Sequence, residues 1–200
     1  MILDFDKIHK DYNLKIKGVI HIGAHYGQEY SSYVTLGIKD MIFYEPIPQC
    51  YKELRKNVIG LVVNKALGNF NGKAMMYVAS NKGVSSSLLR PLLHRKQYPK
   101  IKFRQTITVD VARLDDILED KEKYNFINID VQGYELEVFK GAVETLSGID
   151  YIMSEVNRDE LYKDCVQVDE LDNFLKDFKR VETKWAGKTW GDAFYIKTKN

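Results

Sequence analysis

The feature that most constrains the fold is an alternation of short apolar runs with segments that can form helices. Apolar, β-rich runs occupy residues 19–24, 41–44 and 61–63, and helix-compatible stretches at 28–36 and 49–57 separate them. Strands joined by helices run parallel and bury both faces of their sheet under those helices. The pattern therefore predicts an α/β fold built on a mostly parallel sheet.

The alternation resumes in the second half of the chain. The later predicted elements are a helix at 114–118, a strand at 126–131, a helix at 135–146, a strand at 151–153 ended by Glu155, a helix at 169–178 and a closing antiparallel pair at 180–185 and 193–197. Residues 70–112 hold two further predicted strands, at 73–79 and 104–111, and a basic loop, which indicates an insertion beside the main sheet. No linker or repeat divides the chain, so we expect one domain over residues 1–200.

The composition is that of an ordinary globular chain, with 44% hydrophobic and 29% charged residues. A net charge of +2 argues against a protein whose main task is to coat nucleic acid or an acidic membrane. No apolar run approaches the ~18 residues of a membrane span, and the N-terminus does not resemble a signal peptide. We therefore expect a cytoplasmic protein whose two cysteines, Cys50 and Cys165, stay reduced.

Two glycines interrupt the chain where the first strand ends, in the stretch GVIHIGAHYGQE. A glycine turn before a helix lets a ligand approach bare backbone. Gly23 and Gly27 are spaced GxxxG, which departs from the GxGxxG of dinucleotide sites because His25 takes the second glycine position. This spacing favours a nucleoside cofactor that lacks a pyrophosphate. The alternative is a tight turn with no ligand.

Acidic residues follow three of the predicted strands. Glu45 ends the second strand and is placed to accept hydrogen bonds from both ribose hydroxyls of a nucleoside. Asp130 and Glu155 end two later strands, at the sheet edge where open α/β sheets bind ligands. Two acids on adjacent strand ends suggest chemistry, although either alone could cap a helix or lie exposed in a loop.

Six motifs together resemble the FkbM-type methyltransferases: HIGAHYGQE, FYEPIP, SNKGVSSSLL, LDDIL, FINIDVQGYELEVFKGA and WGDAFYIK. The resemblance runs from about residue 18 to 198. It implies a Rossmann-like fold with a seven-stranded, mostly parallel sheet whose last strand is antiparallel, and a hydroxyl acceptor, often on a sugar or glycan. It also implies that S-adenosylmethionine is bound and S-adenosylhomocysteine is the product. We assign cofactor contacts to Gly23, Ala24, His25, Gly27, Glu45, Pro46, Ala66 and Asp130.

The chain departs from this family at three positions. Many relatives carry Asp where this sequence has His21 and Asn where it has His25. Many also read DVEG where this chain has Gln132 after Asp130 and Val131, so a role that needs a charge there is in doubt. His21 enters from a buried strand, and a hydrogen-bonded core histidine is its expected role.

A sugar hydroxyl is a poor nucleophile until a base or a metal weakens its O–H bond. Asp130 is the first candidate for that role, Glu155 the second and His94 the third, with an exposed loop histidine as the alternative for His94. A hard ion such as Mg²⁺ or Mn²⁺ would take oxygen ligands from Asp130, Glu155 and Asn157. The sequence contains no dedicated metal motif.

The segment 85–98 is the expected cover of the acceptor. Its candidate contacts, together with a later strand residue, are Ser86, Ser87, Arg90, Tyr98 and Asn157. The alternative is a solvated loop without contact to any ligand. Trp185 and Trp190 flank the last turn, where packing is the more natural role than stacking on carbohydrate.

Three other functions fit parts of this pattern. An RNA ribose 2′-O-methyltransferase would use the basic segment around residues 90–104 to bind phosphates, but the balanced charge of the chain argues against a nucleic-acid partner. A non-catalytic module could retain the fold. An NAD-dependent oxidoreductase is disfavoured by the glycine spacing.

Overall fold

A computed structural model describes residues 1–198. Its strands are β1 Gly18–Ile22, β2 Asp40–Tyr44, β3 Leu61–Val63, β4 Ala66–Leu67, β5 Gly72–Val78, β6 Gln105–Ala112, β7 Phe126–Ile129, β8 Tyr151–Asn157, β9 Phe178–Ala186 and β10 Trp190–Lys197. Its α-helices are α1 Phe5–Asp11, α2 Tyr30–Thr35, α3 Pro48–Asn57, α4 His94–Gln97, α5 Leu114–Ile117, α6 Glu135–Lys140, α7 Val143–Ser147 and α8 Val168–Phe174, and Lys121–Lys123 forms a 3₁₀ turn.

The main sheet has seven strands in the order β3-β2-β1-β7-β8-β10-β9. All neighbouring pairs are parallel except those of β10, which is antiparallel to both β8 and β9. Every residue of β1 and of β7 is buried, as expected for strands covered on both faces. Alternate residues divide between two cores: Ile20 and Ile127 pack in one, Val19 and Phe126 in the other. The predicted seven-stranded architecture with an antiparallel last strand is confirmed.

A second, three-stranded sheet has the order β4-β6-β5. Its two long strands, β5 and β6, pair antiparallel and correspond to the two strands predicted between residues 70 and 112. The two-residue β4 was not predicted, since only its pairing with Val111 and Ala112 makes it a strand. The single-domain organisation stays a prediction.

The predicted helix over 135–146 is wrong, because the structure has two short helices, α6 and α7, in its place. Asp115 accounts for the break. Its backbone N–H donates to the Gly141 carbonyl, and its carboxylate accepts from the backbone N–H groups of Glu144 and Thr145. A side chain from another element thus caps α7, which the helical spacing of apolar residues could not show.

Two further boundaries were wrong. β8 continues past Met153 to Asn157, because β10 pairs with it along that whole length. Glu155 therefore lies inside the strand. The predicted helix over 169–178 ends at Phe174, and Phe178 already begins β9.

Within residues 1–198, no helix combines the length and apolar character needed to span a bilayer. Cys50 and Cys165 are both buried free thiols.

Candidate functional site

The turn after β1 is built around a close contact between two strand ends. Gly23 has a φ of +76°, and a Cβ there would lie 2.1 Å from the Asp130 carbonyl oxygen. Only glycine combines that backbone conformation with that approach. Gly27 has a φ of +78° and a different neighbour, since its Cβ would lie 2.6 Å from Val58 Cγ1. The first glycine joins β1 to the end of β7, and the second lets the turn pack against the region after α3.

Glu45 organises the same turn from the end of β2. Its two carboxylate oxygens accept hydrogen bonds from the backbone N–H groups of His25, at 2.9 Å, and Ile47, at 2.8 Å. Glu45 is 4% exposed, and burial raises the pKa of its carboxyl group to about 7, with the two N–H donors opposing that rise. Each oxygen keeps a second lone pair for a ligand hydroxyl.

His25 is held at φ +48° by three contacts. Its N–H donates to Glu45, its Nδ1 lies 2.9 Å from the Gln28 amide nitrogen, and its Nε2 lies 2.9 Å from the Lys82 carbonyl oxygen. If the amide donates to Nδ1, then Nε2 carries the proton that the carbonyl accepts. The imidazole thus ties the turn after β1 to the turn at residues 81–86.

These turns enclose the Glu45 cavity, which has mainly apolar walls with Glu45, Lys65 and Asp130 as charged groups. The lining comprises Ile22, Gly23, His25, Tyr44, Glu45, Pro46, Ile47, Lys65, Ala66, Leu67, Met76, Gly83, Val84, Ser86, Leu88, Asp130, Val131 and Tyr134. Six of the eight expected cofactor residues lie here: Gly23, His25, Glu45, Pro46, Ala66 and Asp130. The apolar walls could pack against a planar apolar group, and the charged side chains could bind a polar sugar.

A second hollow, the Glu29 cavity, adjoins the Glu45 cavity at Gly23. Its lining comprises Met1, His21, Gly23, Ala24, His25, Gln28, Glu29, Val84 and Asp130. Ala24 therefore lies in this cavity, while Gly27 lines neither. His21 is buried, as expected, with Nδ1 3.3 Å from the Tyr33 hydroxyl, and burial lowers the pKa of its imidazole.

The side chain of Gln132 joins two candidate acids, Asp130 just after β7 and Glu155 inside β8. Its amide nitrogen donates to Asp130 Oδ1 at 2.8 Å and to Glu155 Oε2 at 2.6 Å. Its amide oxygen and the Ser85 carbonyl oxygen each lie 2.8 Å from the Tyr162 hydroxyl, whose single hydrogen they share as acceptors. Gln132 has a φ of +57°, a conformation that costs a non-glycine residue about 1 kcal/mol or more. The strained backbone and the amide bridge together hold Asp130 beside Glu155.

Several carboxyl groups share this region, and their mutual repulsion affects their ionisation. Burial raises the pKa of Glu155 well above its ordinary value, and the neighbouring acids Asp130, Glu135 and Asp192 raise it further. Burial also raises the pKa of Asp192 to about 6. Asp192 lies inside β10, and its Oδ2 accepts from the backbone N–H groups of Ile2 and Leu3. Glu155 is therefore suited to hold a proton near neutral pH rather than to remove one.

The third hollow, the His94 cavity, has a volume of about 310 Å³. Its lining comprises Met1, Ile2, Val84, Ser85, His94, Tyr98, Ile101, Asp130, Gln132, Glu155, Leu161 and Trp190. The prediction of a loop position for His94 was wrong, because His94 begins α4 and is 3% exposed. Its ring packs against Tyr98, Phe103 and Tyr162. Burial lowers the pKa of this imidazole, so it is neutral at pH 7.

Two contacts join the α4 segment to the turn between β9 and β10. The indole N–H of Trp190 donates to the Tyr98 hydroxyl at 2.7 Å, and the Thr189 hydroxyl donates to Gln97 Oε1 at 2.9 Å. Tyr98 and Trp190 thus form one aromatic wall of the His94 cavity. A sugar ring could pack on such a wall.

The other expected acceptor residues lie elsewhere. Ser86 lines the Glu45 cavity, where its hydroxyl accepts from the Ala79 N–H. Ser87 is buried and donates to the Gln132 carbonyl. Arg90 is exposed, and Asn157 is buried in β8 with neither amide atom hydrogen-bonded within residues 1–198. Ser87, Arg90 and Asn157 line none of these three cavities.

The expected metal ligands do not fit a divalent cation as they are arranged. The amide N–H₂ of Gln132 lies between Asp130 and Glu155 and donates to both, which places hydrogens where a cation would need oxygen atoms. In the described part of the chain, no three His, Cys, Asp or Glu side chains form a group that could hold a metal ion.

Asp130 and Val84 line all three cavities. A ligand in the Glu45 cavity and one in the His94 cavity would therefore meet beside these two residues. Sequence analysis singled out Asp130, named Gln132 only as a departure from the family, and missed Val84 and Tyr162. The motif SNKGVSS contains Val84, yet only the folded turn at residues 81–86 shows that this valine, 53% exposed, projects where the cavities join.

Comparisons with known proteins find similar methyltransferases. A family model described as the methyltransferase FkbM domain matches residues 21–181. The protein named 2-O-methyltransferase NoeI, from Sinorhizobium fredii (strain NBRC 101917 / NGR234), is 27% identical over 194 residues, which cover 90% of this chain and 79% of that protein.

Solved structures with similar folds include S-adenosylmethionine-bound methyltransferases. A putative tRNA (m1A22) methyltransferase from Streptococcus pneumoniae matches with a TM-score of 0.56 and 14% identity, covering 100% of this chain and 75% of that one. The magnesium protoporphyrin IX methyltransferase from Synechocystis PCC 6803 matches with a TM-score of 0.53 and 10% identity, covering 96% and 75%. At such low identity these likenesses show the fold alone.

Proposed function

Because the chain belongs to the FkbM methyltransferase family and is a methyltransferase that uses S-adenosylmethionine, we propose that its acceptor is a hydroxyl of a sugar, alone or within a glycan. The observation that carries the proposal is the His94 cavity, which places a buried neutral imidazole, an aromatic wall and polar side chains next to Asp130. The 2-O-methyltransferase relative supports an oxygen acceptor.

The Glu45 cavity is the proposed site of the adenosyl group. Glu45 would accept hydrogen bonds from the ribose hydroxyls, and Pro46 and Ala66 would contribute to the walls beside the base. Gly23, Ala24 and His25 would hold the amino-acid end near the Glu29 cavity, and Gly27 shapes the turn. When bound, S-adenosylmethionine supplies an electrophilic methyl group on a positively charged sulfur.

The residues of the His94 cavity would prepare the acceptor hydroxyl. His94 is the best-suited base of the three candidates, because burial keeps its imidazole neutral while Glu155 tends to retain a proton. Asp130 lies at the junction of the cavities, where its carboxylate would orient the hydroxyl and favour positive charge on the donor. Alignment of the two reacting groups can itself supply several kcal/mol.

The test is methyl transfer from labelled S-adenosylmethionine to a panel of free sugars and oligosaccharides. We expect wild type to label a hydroxyl, and His94→Gln to lose at least about 10²-fold in kcat while binding S-adenosylhomocysteine as tightly as wild type. Lys96→Gln, an exposed change two residues away in the same helix, is the matched control. Labelling of nitrogen or carbon instead of oxygen would contradict the proposal, as would an active His94→Gln variant.

A further inference from the structure

The strongest feature outside the proposed catalytic centre is a run of unbalanced positive charge. Residues 85–109 contain six Lys or Arg and no Asp or Glu: Arg90, Arg95, Lys96, Lys100, Lys102 and Arg104. All six are exposed, and none takes part in an ion pair within residues 1–198. Such a concentration of charge without counter-ions creates a local positive potential.

Three of these side chains converge on one hollow of about 250 Å³, the Arg95 hollow, lined by Arg95, Ile101, Lys102, Phe103 and Arg104. Ile101 also lines the His94 cavity, so the two hollows are neighbours. A ligand that fills the His94 cavity could extend past Ile101 into the Arg95 hollow.

The backbone of the Arg95 hollow is fixed in place. Lys102 is held on both sides by Ser80, because its N–H donates to Ser80 Oγ at 2.9 Å and its carbonyl accepts from the Ser80 N–H at 2.8 Å. The Arg95 guanidinium carbon lies 5.9 Å from the centre of the Phe103 ring, within the range of a cation–π contact. These contacts keep the basic side chains grouped without neutralising them.

We propose that the Arg95 hollow is an anion-binding subsite, and that the acceptor is a sugar carrying a phosphate or carboxylate group. This inference rests on the proposed function. Arginine pairs bind such oxygen anions through paired N–H donors. The lining of the His94 cavity contains no Lys or Arg, and the Asp130 carboxylate there would disfavour an anion. The basic side chains of the Arg95 hollow therefore orient the acceptor, with its anionic group toward Arg95 and its reacting hydroxyl toward His94.

The charge distribution favours a small anion over a nucleic acid. Without the six basic residues of this segment, the chain has four more acidic than basic residues. A long polyanion that extended beyond this basic segment would therefore be repelled by the net negative charge of the remaining residues. A single anionic group suits a hollow of this size.

The first test uses inorganic phosphate, which needs no assumption about the sugar. We expect phosphate to shift the NMR signals of the Arg95 and Arg104 side-chain N–H groups saturably, and sulfate to compete. Unchanged signals at both arginines would overturn the inference. So would equal shifts at Lys100, an exposed residue of the same segment that does not line the hollow.

The second test measures binding of a hexose 1-phosphate, a hexuronic acid, the neutral hexose and a ten-nucleotide RNA. We expect one or both anionic sugars to bind at least about tenfold more tightly than the neutral hexose, and Arg95→Gln and Arg104→Gln each to remove most of that difference. Whichever anionic sugar binds more tightly identifies phosphate or carboxylate as the natural group. Lys100→Gln is the matched control and should change the affinity less than twofold.

Equal affinity for charged and neutral sugars would overturn the inference, and so would RNA binding that Lys100→Gln weakens as much as Arg95→Gln does. S-adenosylhomocysteine binding, measured on the same samples, keeps this result separate from the proposed function. If wild type fails to bind S-adenosylhomocysteine, the proposed function fails on its own evidence. If it binds and the arginine variants do not alter sugar affinity, only the anionic subsite is wrong.

Discussion

Binding of S-adenosylhomocysteine should depend on the ionisation of Glu45. The free carboxyl group has a pKa of about 7 because it is buried, and only its charged form is a strong acceptor for two ribose hydroxyls. Hydrogen bonds to a charged group contribute about 1.5–3 kcal/mol each. Two of them amount to about 3–6 kcal/mol, or roughly 10²- to 10⁴-fold in affinity at 25 °C.

The direction of the pH effect follows from the raised pKa. Below pH 7 most free protein carries a protonated Glu45, and the apparent affinity falls with the fraction that is ionised. We expect S-adenosylhomocysteine to bind about tenfold more weakly at pH 6 than at pH 8.5. His94 cannot produce this profile, because burial moves its pKa below the ordinary histidine value rather than up to 7.

The variant Glu45→Gln keeps the shape of the side chain and removes its charge. One end of the new amide would point an N–H₂ at the backbone N–H of either His25 or Ile47, so we expect at least about 100-fold weaker binding and no dependence on pH. The assay is calorimetric titration between pH 5.5 and 8.5. Glu53→Gln, an exposed charge change on α3, is the matched control and should behave as wild type. If Glu45→Gln binds S-adenosylhomocysteine within threefold of wild type, or if wild-type affinity does not change with pH, the proposed role of Glu45 is refuted.

Three further predictions concern stability and metal use. Gly23→Ala should lower the free energy of unfolding by more than about 3 kcal/mol in urea titrations, because its Cβ would meet the Asp130 carbonyl at 2.1 Å. Gly37→Ala, with a similar φ of +74° and no atom within 4 Å of its Cβ, should cost only about 1 kcal/mol; equal losses would contradict the steric argument. Chelation with EDTA should leave wild-type methyl transfer unchanged. A loss of activity that Mg²⁺ restores would contradict the argument that the Gln132 amide keeps a cation from binding between Asp130 and Glu155. Gln132→Glu replaces the bridging amide by a third carboxyl group, so Mn²⁺ should raise the melting temperature of this variant but not of wild type; no difference in calorimetry would contradict that expectation.

Much of the fold could be predicted because strand and helix periodicity are local properties of the chain. The runs at β1, β2 and β7 are continuous and apolar, as buried parallel strands require. Boundaries that depend on a distant partner were missed: Asp115 divides α6 from α7, and pairing with β10 extends β8 past Glu155.

The residues of the candidate site, like the fold, could be predicted only in part. By itself the sequence determined the alternation of strands and helices, the glycine turn and the acids at strand ends, and these place Glu45 and Asp130 at one edge of the sheet. The tertiary structure alone decided that His94 is buried and faces the same cavity as Asp130, and that Arg95 and Arg104 share a neighbouring hollow. The physical reason is that periodicity and turn chemistry act over a few residues, whereas burial, pKa and cavity shape depend on residues that are far apart in the chain.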